Sequence, residues 1–282
     1  MKTINGFVIR NKLASDIASI LRAFTKSHME VDVIIPCTEK SMKVLPWVVA
    51  SLRRYLRHPI GEIFVISGAS EAIRQFCNKE GIVNIDETEF MGFGNDEIVY
   101  FPDNVDRRGW LYQQLIKLKS DVLGNAKHLL ILDSDTVFIR PARFDSAGSI
   151  ALQYFEYTHP SYMSHLRKLF PDFEHTQTSF ICHHMFLNKS TLANIRKDIE
   201  LLHPGKSWWK TIIDLVDTSQ MSGFSEYETI GHYIVNNNLK DYGKNIEHYL
   251  NCGMTLTNWM SRFYKRVLFP AIYKTISFQQ YC

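Results

Sequence analysis

The stretch Leu129-Leu130-Ile131-Leu132-Asp133-Ser134-Asp135-Thr136-Val137-Phe138 decides the fold of this chain. Four consecutive apolar residues are typical of a strand buried on both faces, as in a parallel sheet. Two acids follow where the strand ends, and residues two apart in an extended chain point the same way. Because paired acids at a buried strand are costly unless a cation neutralises them, Asp133 and Asp135 are predicted ligands of Mn²⁺ or Mg²⁺. The alternative is a solvated turn, since Asp is a common turn former.

Two classes of enzyme place an Asp-x-Asp pair after a buried strand. GT-A glycosyltransferases use it to hold a metal on a nucleotide-sugar diphosphate, whereas haloacid-dehalogenase phosphatases use the first Asp as a nucleophile. In the phosphatases that Asp lies on the first core strand, but well over a hundred residues precede Asp133 here. Such phosphatases also need a downstream pair of acids to hold Mg²⁺. The nearest candidates here are Asp214 and Asp217, which lie in a run typical of a helix. The position therefore favours a glycosyltransferase, with a Mg-dependent phosphatase that uses Asp133 as the alternative.

The first half of the chain alternates strand and helix signals. Apolar runs predict strands at Val31–Pro36, Ile63–Gly68 and Ile82–Ile85, with helices between them and a further helix over Gly109–Leu123. Repeated βα units imply a parallel sheet with right-handed crossovers, which binds ligands at the carboxyl ends of its strands. We therefore expect a single α/β domain with a Rossmann-related, mostly parallel sheet flanked by helices.

Several small or polar residues fall at the predicted strand ends. Pro36 and Thr38 follow the first of these strands, and Ser67 follows the second. Since the carboxyl ends of parallel strands share one edge of the sheet, these residues are predicted to line a nucleotide pocket together with Asp133.

Composition and charge restrict the class of protein. The chain has 282 residues, of which 45% are hydrophobic and 22% charged, and a formal net charge of +3. That size suits one large α/β domain, and the charge is too small to predict nucleic-acid binding. Five cysteines without CxxC spacing indicate a reducing compartment and argue against structural zinc. With neither a signal-peptide pattern nor a long apolar run, a cytoplasmic protein, possibly peripheral on the inner face of the cytoplasmic membrane, is expected.

Three regions are predicted along the chain. Residues 1–30 form a helical lead, in which Leu13, Ile17, Ile20, Leu21 and Phe24 mark an amphipathic helix. Residues 31–253 form the catalytic domain, with a nucleotide-binding half over 31–140 and an acceptor half over 141–253. The acceptor half is predicted to contain strands at Ile150–Phe155 and Ser179–Phe186.

Residues 254–282 are predicted to be a basic, amphipathic helical tail. Its aromatic and aliphatic residues fall on one helical face beside three basic residues: Trp259, Met260, Phe263, Tyr264, Val267 and Leu268, with Arg262, Lys265 and Arg266. Such a pattern is typical of a helix lying on an anionic membrane surface. A terminal helix docked on the domain is the alternative.

The ordered motifs of the chain resemble a bacterial family of GT-A-fold proteins. The motifs are an Ile-Ile-Pro strand, an Arg-Arg-Gly-Trp-Leu-Tyr-Gln-Gln-Leu-Ile-Lys helix, Leu-Asp-Ser-Asp-Thr-Val-Phe, Ser-Phe-Ile-Cys-His-His-Met-Phe and Gly-Phe-Ser-Glu-Tyr-Glu. The resemblance runs from about Val31 to Asn237. It implies a glycosyltransferase of capsule, O-antigen or other surface-polysaccharide synthesis, with a nucleotide-sugar donor, most often UDP-linked, and a glycan or lipid-linked glycan acceptor.

The resemblance also implies roles for particular residues. Asp133 and Asp135 match the metal-diphosphate motif, with Asp135 as the stronger candidate for direct ligand. Trp110, Gln114 and Lys117 lie on one face of the preceding helix, where they can contact the donor. An ordinary wet helix face is the alternative for these three.

The two later motifs supply further candidates. In Ser179–Phe186 two histidines are adjacent, so at most one faces the site, and His184 is the predicted third metal ligand; a hydrogen-bonded core histidine is the alternative. Glu226, at the start of a helix, is the predicted general base, with Glu228 as the second candidate. Ser225 and Glu228 also form a capping-box pattern, which predicts a purely structural role for Glu228. We expect the Glu226 carboxylate to be solvated by backbone donors at this helix start, to stay ionised at neutral pH and to lie on the acceptor side of the site.

Overall fold

The computed structural model describes residues 2–174, 176, 178–254, 269–270 and 272–278. The described α-helices are α1 Lys12–Ala23, α2 Leu45–Tyr55, α3 Glu71–Glu80, α4 Glu87–Met91, α5 Arg108–Lys119, α6 Pro160–Leu169, α7 Lys189–Leu202, α8 Trp208–Leu215 and α9 Glu226–Asn236. The described strands are β1 Thr3–Ile4, β2 Phe7–Ile9, β3 Val31–Pro36, β4 Ile60–Ser67, β5 Val83–Asp86, β6 His128–Leu132, β7 Thr136–Phe138, β8 Asp145–Ser146, β9 Ser149–Ile150, β10 Gln153–Tyr154, β11 His184–Asn188, β12 Asn245–His248, β13 Asn251–Gly253 and β14 Thr275–Ser277.

The central sheet has five strands in the order β11-β6-β3-β4-β5. Four of them run parallel, and β11 is antiparallel at one edge. From β3 the chain moves outward to β4 and β5, then returns to add β6 on the other side of β3. The strand order therefore reverses between β3 and β6, and the crevice at such a reversal is where open α/β sheets bind ligands. The mixed α/β class with a mostly parallel sheet is confirmed.

The two strands beside the reversal are buried on both faces. Every residue of Val31–Pro36 is buried, as is Leu129–Leu132 of β6. Asp32 can lie inside β3 because Lys189 pairs with its carboxylate at 2.9 Å and the backbone N–H groups of Glu62 and Ala126 donate to it. Continuous apolar runs thus build a rigid sheet that ends at Asp133 and at the loop after Pro36.

The strand predicted over Ser179–Phe186 is shorter in the structure. Only His184–Asn188 forms β11, and Ser179 makes an isolated bridge to Phe155. His183 breaks the extended chain with a φ of 61°. A non-glycine residue in the left-handed region is uncommon, and such residues concentrate at functional sites.

Part of the predicted C-terminal tail is a strand of the fold. Residues 275–278 are buried, and β14 pairs antiparallel with β7, directly after the Asp133 turn. The prediction of an appended helical tail over 254–282 is therefore wrong for these residues, because a strand partner from the end of the chain was not visible locally. The aromatic and basic stretch from Trp259 to Leu268 lies outside the described residues. Within the described part, no helix is long and apolar enough to cross a membrane.

Helix α9 packs against the segment before β11 through a glycine. A Cβ placed on Gly231 would lie 2.0 Å from Cγ of Phe180. The ring and the helix backbone therefore meet at a distance that only glycine permits. This contact holds the buried helix α9 close to the β6–β11 edge of the sheet.

Gly231→Ala should destabilise the fold by about 1–3 kcal/mol, because the added methyl forces Phe180 or α9 to shift. Urea denaturation measures the change in the free energy of unfolding. Gly109→Ala is the matched control, since its Cβ would meet nothing nearer than an Asn95 side-chain atom at 4.0 Å. Equal stability of the two variants would contradict the close packing.

Candidate active site at the Asp133-Ser134-Asp135 turn

Three backbone hydrogen bonds hold the turn between β6 and β7. The N–H of Asp133 donates to the carbonyl of His183 at 3.1 Å, and the N–H of Thr136 donates back to Asp133 at 3.0 Å. The carbonyl of Asp135 accepts from the N–H of Phe278 at 2.9 Å. The two carboxylates are therefore presented from a backbone that the sheet and the chain end both hold in place.

The Asp133 carboxylate is already neutralised inside the protein. Its Oδ1 accepts from Lys117 Nζ at 2.5 Å and from the Tyr227 hydroxyl at 2.9 Å, and its Oδ2 lies 3.1 Å from His183 Nδ1. Burial raises the pKa of Asp133, but Lys117 and His183 outweigh it and hold that pKa well below its usual range. Asp133 is thus an ionised acid with three partners.

Lys117 joins Asp133 to Glu226. Its ammonium lies 2.6 Å from Glu226 Oε1, and the backbone N–H of Glu226 donates to Gln114 Oε1 at 3.2 Å. Lys117 is buried, which lowers its pKa, yet the two carboxylates reverse that effect and hold the pKa above its usual value. The predicted face of α5 thus brings Gln114 and Lys117 to the start of α9.

Glu226 is enclosed by the protein. It is 2% exposed, because the first turn of α9 packs against α5. Besides the backbone donors that the sequence predicted, its carboxylate has a partner that the sequence did not predict, the Lys117 ammonium. Burial raises the pKa of Glu226, although Lys117 acts to lower it. Glu226 therefore lies beside the Asp133 turn, in the same ion-pair cluster.

Asp135 is the acid in this turn without a positive partner among the described side chains. Its recorded side-chain hydrogen bond comes from the adjacent Thr136 hydroxyl, at 3.2 Å. Burial, and then the neighbouring charge of Asp133, raise the pKa of Asp135. A half-buried acid with a raised pKa and no cationic partner among the described residues suits a ligand that brings a cation.

The donor set fits Mg²⁺ or Mn²⁺ only if the substrate supplies part of the coordination. No group of three or more His, Cys, Asp or Glu side chains in the described ranges is arranged to hold a metal. Magnesium is commonly bound by one or two carboxylates together with water and substrate phosphates. Asp135, with Asp133 behind it, matches that smaller protein contribution.

The predicted metal ligand His184 is engaged elsewhere. Its Nδ1 lies 2.8 Å from the carbonyl of Cys182 and its Nε2 2.7 Å from Gln153 Oε1, so both ring nitrogens have partners. Burial lowers its pKa to about 3, which keeps the ring neutral. The kink at His183 instead turns that neighbouring ring toward Asp133. The structure therefore corrects the assignment: the core histidine is His184, and His183 contacts the site.

The predicted loops after β3 and β6 do meet. Ser134 donates to the Ser41 hydroxyl at 3.0 Å, which ties the Asp133 turn to the loop that begins after Pro36. Thr38 in this loop is exposed and available to a ligand. Ser67, by contrast, is 2% exposed and accepts from the Asn84 side chain at 3.2 Å. A contact of Thr38 with a nucleotide stays a prediction, whereas the Ser67 hydroxyl is used inside the sheet.

Trp110 packs away from the ion-pair cluster. The guanidinium of Arg107 lies 4.3 Å from the centre of its ring, and the ring of Tyr100 is 6.1 Å away. These contacts give Trp110 a packing role one turn before Gln114. A contact of Trp110 with the donor stays a prediction.

Sequence reasoning missed two residues of the cluster. Tyr227 stands inside the Gly-Phe-Ser-Glu-Tyr-Glu motif, but only its acidic neighbours were considered; its hydroxyl bonds Asp133 and its ring lies 4.5 Å from Lys117 Nζ. His183 is the second missed residue. The alternation of side chains along a strand predicted that at most one histidine of the pair faces the site, but it did not show which one.

Glu228 is bound within the core. The Ser179 hydroxyl donates to its Oε1 at 2.6 Å and the Phe180 N–H to its Oε2 at 3.0 Å. Ser225 caps the helix by accepting the Glu228 N–H at 3.3 Å, so half of the predicted capping box forms. The reciprocal half does not, because the carboxylate is taken by the segment before β11. These contacts give Glu228 the structural role.

Stability should depend on pH through Glu228. Burial raises its pKa to about 7 from a usual 4.5, so its contribution is complete below 4.5 and is lost as pH rises through 7. Glu228→Gln keeps a neutral side chain that can bond both partners. From pH 5 to pH 8 the variant should lose less unfolding free energy than the native protein, by on the order of 2 kcal/mol in urea denaturation.

Glu89→Gln makes the same change at an exposed acid and is the control. It should keep the native pH dependence. If Glu228→Gln follows the native curve as well, Glu228 does not change its protonation on unfolding.

Comparisons with known proteins relate the chain to one family. No curated protein sequence matches it. The solved structure of mouse xyloside xylosyltransferase 1, apo form, is 11% identical with a TM-score of 0.48, covering 89% of this chain and 98% of that chain. The solved structure of galactosyltransferase LgtC with donor and acceptor sugar analogs is 12% identical with a TM-score of 0.47. The match covers 88% of this chain and 87% of that chain. Likeness at these scores is too remote to assign an activity. Residues 28–259 match the model described as "Family of unknown function (DUF6492)", and the chain belongs to that family.

Proposed function

We propose that this protein is a metal-dependent glycosyltransferase that moves a sugar from a nucleotide-sugar donor to a glycan acceptor. One observation carries the proposal: Asp133 and Glu226 share the single ammonium of Lys117, with Asp135 in the same turn, at the reversal of strand order. Asp133, Asp135 and Glu226 outnumber the two basic side chains of the cluster, Lys117 and His183, so the ionised site carries an excess of negative charge. A site with that excess, at the carboxyl ends of parallel strands, suits a divalent cation bound with a diphosphate.

Each residue of the cluster has its own proposed role. Mn²⁺ or Mg²⁺, when bound, offsets the charge that develops on the departing nucleoside diphosphate. Asp135 is the direct ligand and Asp133 supports it. Lys117 holds Asp133 and Glu226 at fixed positions and limits their mutual repulsion, and Tyr227 and His183 fix the orientation of Asp133.

Glu226 is proposed to take the proton from the acceptor hydroxyl. Burial raises its pKa despite the adjacent Lys117, and a base with a raised pKa is better matched to proton transfer near neutral pH. Its ion pair with the lysine that also binds Asp133 keeps it next to the donor site.

The resemblance in motif order extends the proposal to its substrates. It favours a UDP-linked donor and a glycan or lipid-linked glycan acceptor in bacterial surface-polysaccharide synthesis. Release of nucleoside diphosphate from a panel of UDP-, GDP- and dTDP-sugars with Mn²⁺ identifies the donor. Absence of release from every donor, with acceptor extracts present, would contradict the transferase and favour a glycan-assembly protein without catalysis.

Contacts of the acidic residues weigh against a phosphatase. Asp214 pairs with Lys206 and Lys210, and Asp217 accepts from Ser219, so both candidate magnesium ligands are engaged elsewhere. Asp133, the required nucleophile, already accepts three side-chain hydrogen bonds. Detection of a phosphoenzyme on Asp133 would establish the phosphatase in place of the transferase.

Asp135→Asn should weaken donor binding only when metal is present. The change keeps the size of the side chain and removes a charge that has no counter-ion among the described residues, so the affinity for UDP with Mn²⁺ should fall at least about tenfold. Affinity without metal should stay the same. Isothermal titration calorimetry measures both, and Asp172→Asn, at an exposed acid, is the control. Unchanged affinity with Mn²⁺ would remove Asp135 from the metal site.

Glu226→Gln should preserve binding of UDP with Mn²⁺ and lower turnover about 10²-fold, as expected for loss of a general base. Glu228→Gln, the same change two residues along α9, should turn over normally near neutral pH. Steady-state transfer kinetics on the identified donor measure both variants, and circular dichroism shows that both are folded. Normal turnover by Glu226→Gln would exclude it as the base.

A further inference from the structure

Helix α1 is attached to the protein by its polar side. Ser15 is fully buried and Ser19 is 8% exposed, and the Ser15 hydroxyl accepts the His248 N–H at 2.8 Å. The two terminal nitrogens of Arg22 donate to the two oxygens of the buried Glu247 carboxylate, which belongs to the neighbouring strand β12. An ordinary surface helix places its polar side in water. This one uses that side to dock.

The opposite side of α1 is a continuous apolar stripe. Its members recur at the spacing of one helical face and are 46% to 80% exposed: Leu13, Ile17, Ile20, Leu21 and Phe24. Single exposed apolar residues are normal on protein surfaces, but five along one face form a patch of the kind that marks an interaction site. The helix is already folded and held, so a partner needs only to cover this stripe.

Charges around the apolar stripe are positive toward solvent. Lys12 and Lys26, at the two ends of the helix, are exposed. The one acid of α1, Asp16, turns inward, 3.3 Å from Arg140 and 3.8 Å from Lys274. The solvent-facing residues of α1 thus form an apolar stripe without an acid, and an exposed lysine lies near each end of the helix.

That charge pattern distinguishes between possible partners. If two copies paired through this helix, an antiparallel arrangement would bring Lys12 close to Lys26 of the other copy, and a parallel one would bring each lysine to itself. Both arrangements oppose like charges. An anionic lipid surface instead attracts both lysines while its acyl region accepts the apolar stripe.

We propose that α1 docks this protein on an anionic lipid surface, with the apolar stripe at the acyl boundary and Lys12 and Lys26 among the headgroups. The proposal rests on the exposure and charge of α1 and is independent of the proposed sugar transfer. It concerns the N-terminal helix, whereas the aromatic and basic tail lies outside the described residues.

Co-sedimentation of the full-length protein with lipid vesicles tests the proposal. The native protein should bind vesicles of equal parts phosphatidylcholine and phosphatidylglycerol, and bind less as salt is raised. Leu21→Ser combined with Phe24→Ser should lower the partition coefficient at least about tenfold. Lys12→Gln and Lys26→Gln should each lower it about fivefold on the anionic vesicles and leave weak binding to pure phosphatidylcholine unchanged.

The matched control replaces two apolar residues exposed elsewhere. Leu201 is 66% and Val99 74% exposed, against 64% for Leu21 and 80% for Phe24, and Leu201→Ser with Val99→Ser should bind like the native protein. Circular dichroism shows whether each variant is folded.

Three results would overturn the proposal. The first is native-like vesicle binding by the Leu21 and Phe24 variant. The second is an equal loss of binding in that variant and in the control. The third is a native dimer that ignores vesicles and becomes monomeric in the Leu21 and Phe24 variant, which would assign the apolar stripe to a second copy of the chain.

Discussion

The buried ammonium of Lys117 is the charge on which the candidate site depends. It lies within 2.6 Å of carboxylates from two other elements, the turn after β6 and the start of α9. Without a shared cation, the half-buried Asp133 and the buried Glu226 would repel one another, and Glu226 would carry a large desolvation cost. Because Lys117 comes from α5, one ion-pair cluster joins three elements that are far apart in the sequence.

The same cluster creates an asymmetry within the Asp-x-Asp pair. Both carboxylate oxygens of Asp133 are engaged by Lys117, Tyr227 and His183, so Asp133 is an anion held in a fixed orientation. Asp135 has no such set of partners in the described part of the protein, and burial, followed by the charge of Asp133, raises its pKa. We propose that one acid orients the turn and that the other meets a cationic ligand. A motif that looks symmetric in the sequence therefore has two different physical roles.

Helices α1 and α9 show what a local sequence pattern predicts, which is the residues that share a face, and what it does not predict, which is their partners. The periodicity of α1 predicted which residues share a face, and that grouping holds. It did not show that the protein would bury Ser15 and Ser19 and leave the apolar face in water. For α9, the helix start at Glu226 was predicted, but the partners of Glu226 and Glu228 were not, because they come from α5 and from the segment before β11.

The sequence by itself determined the α/β class, the strand that carries Asp133 and Asp135, and the helix face of Gln114 and Lys117. Those features follow from periodicity and apolar runs, which act between neighbours in the chain. Only the tertiary structure decided that Lys117 pairs with Glu226 across 109 residues, that His183 and not His184 reaches the site, and that β14 pairs with β7 beside the turn. These outcomes depend on which distant elements come into contact, and the burial and charge of each side chain are set by those contacts rather than by its neighbours in sequence.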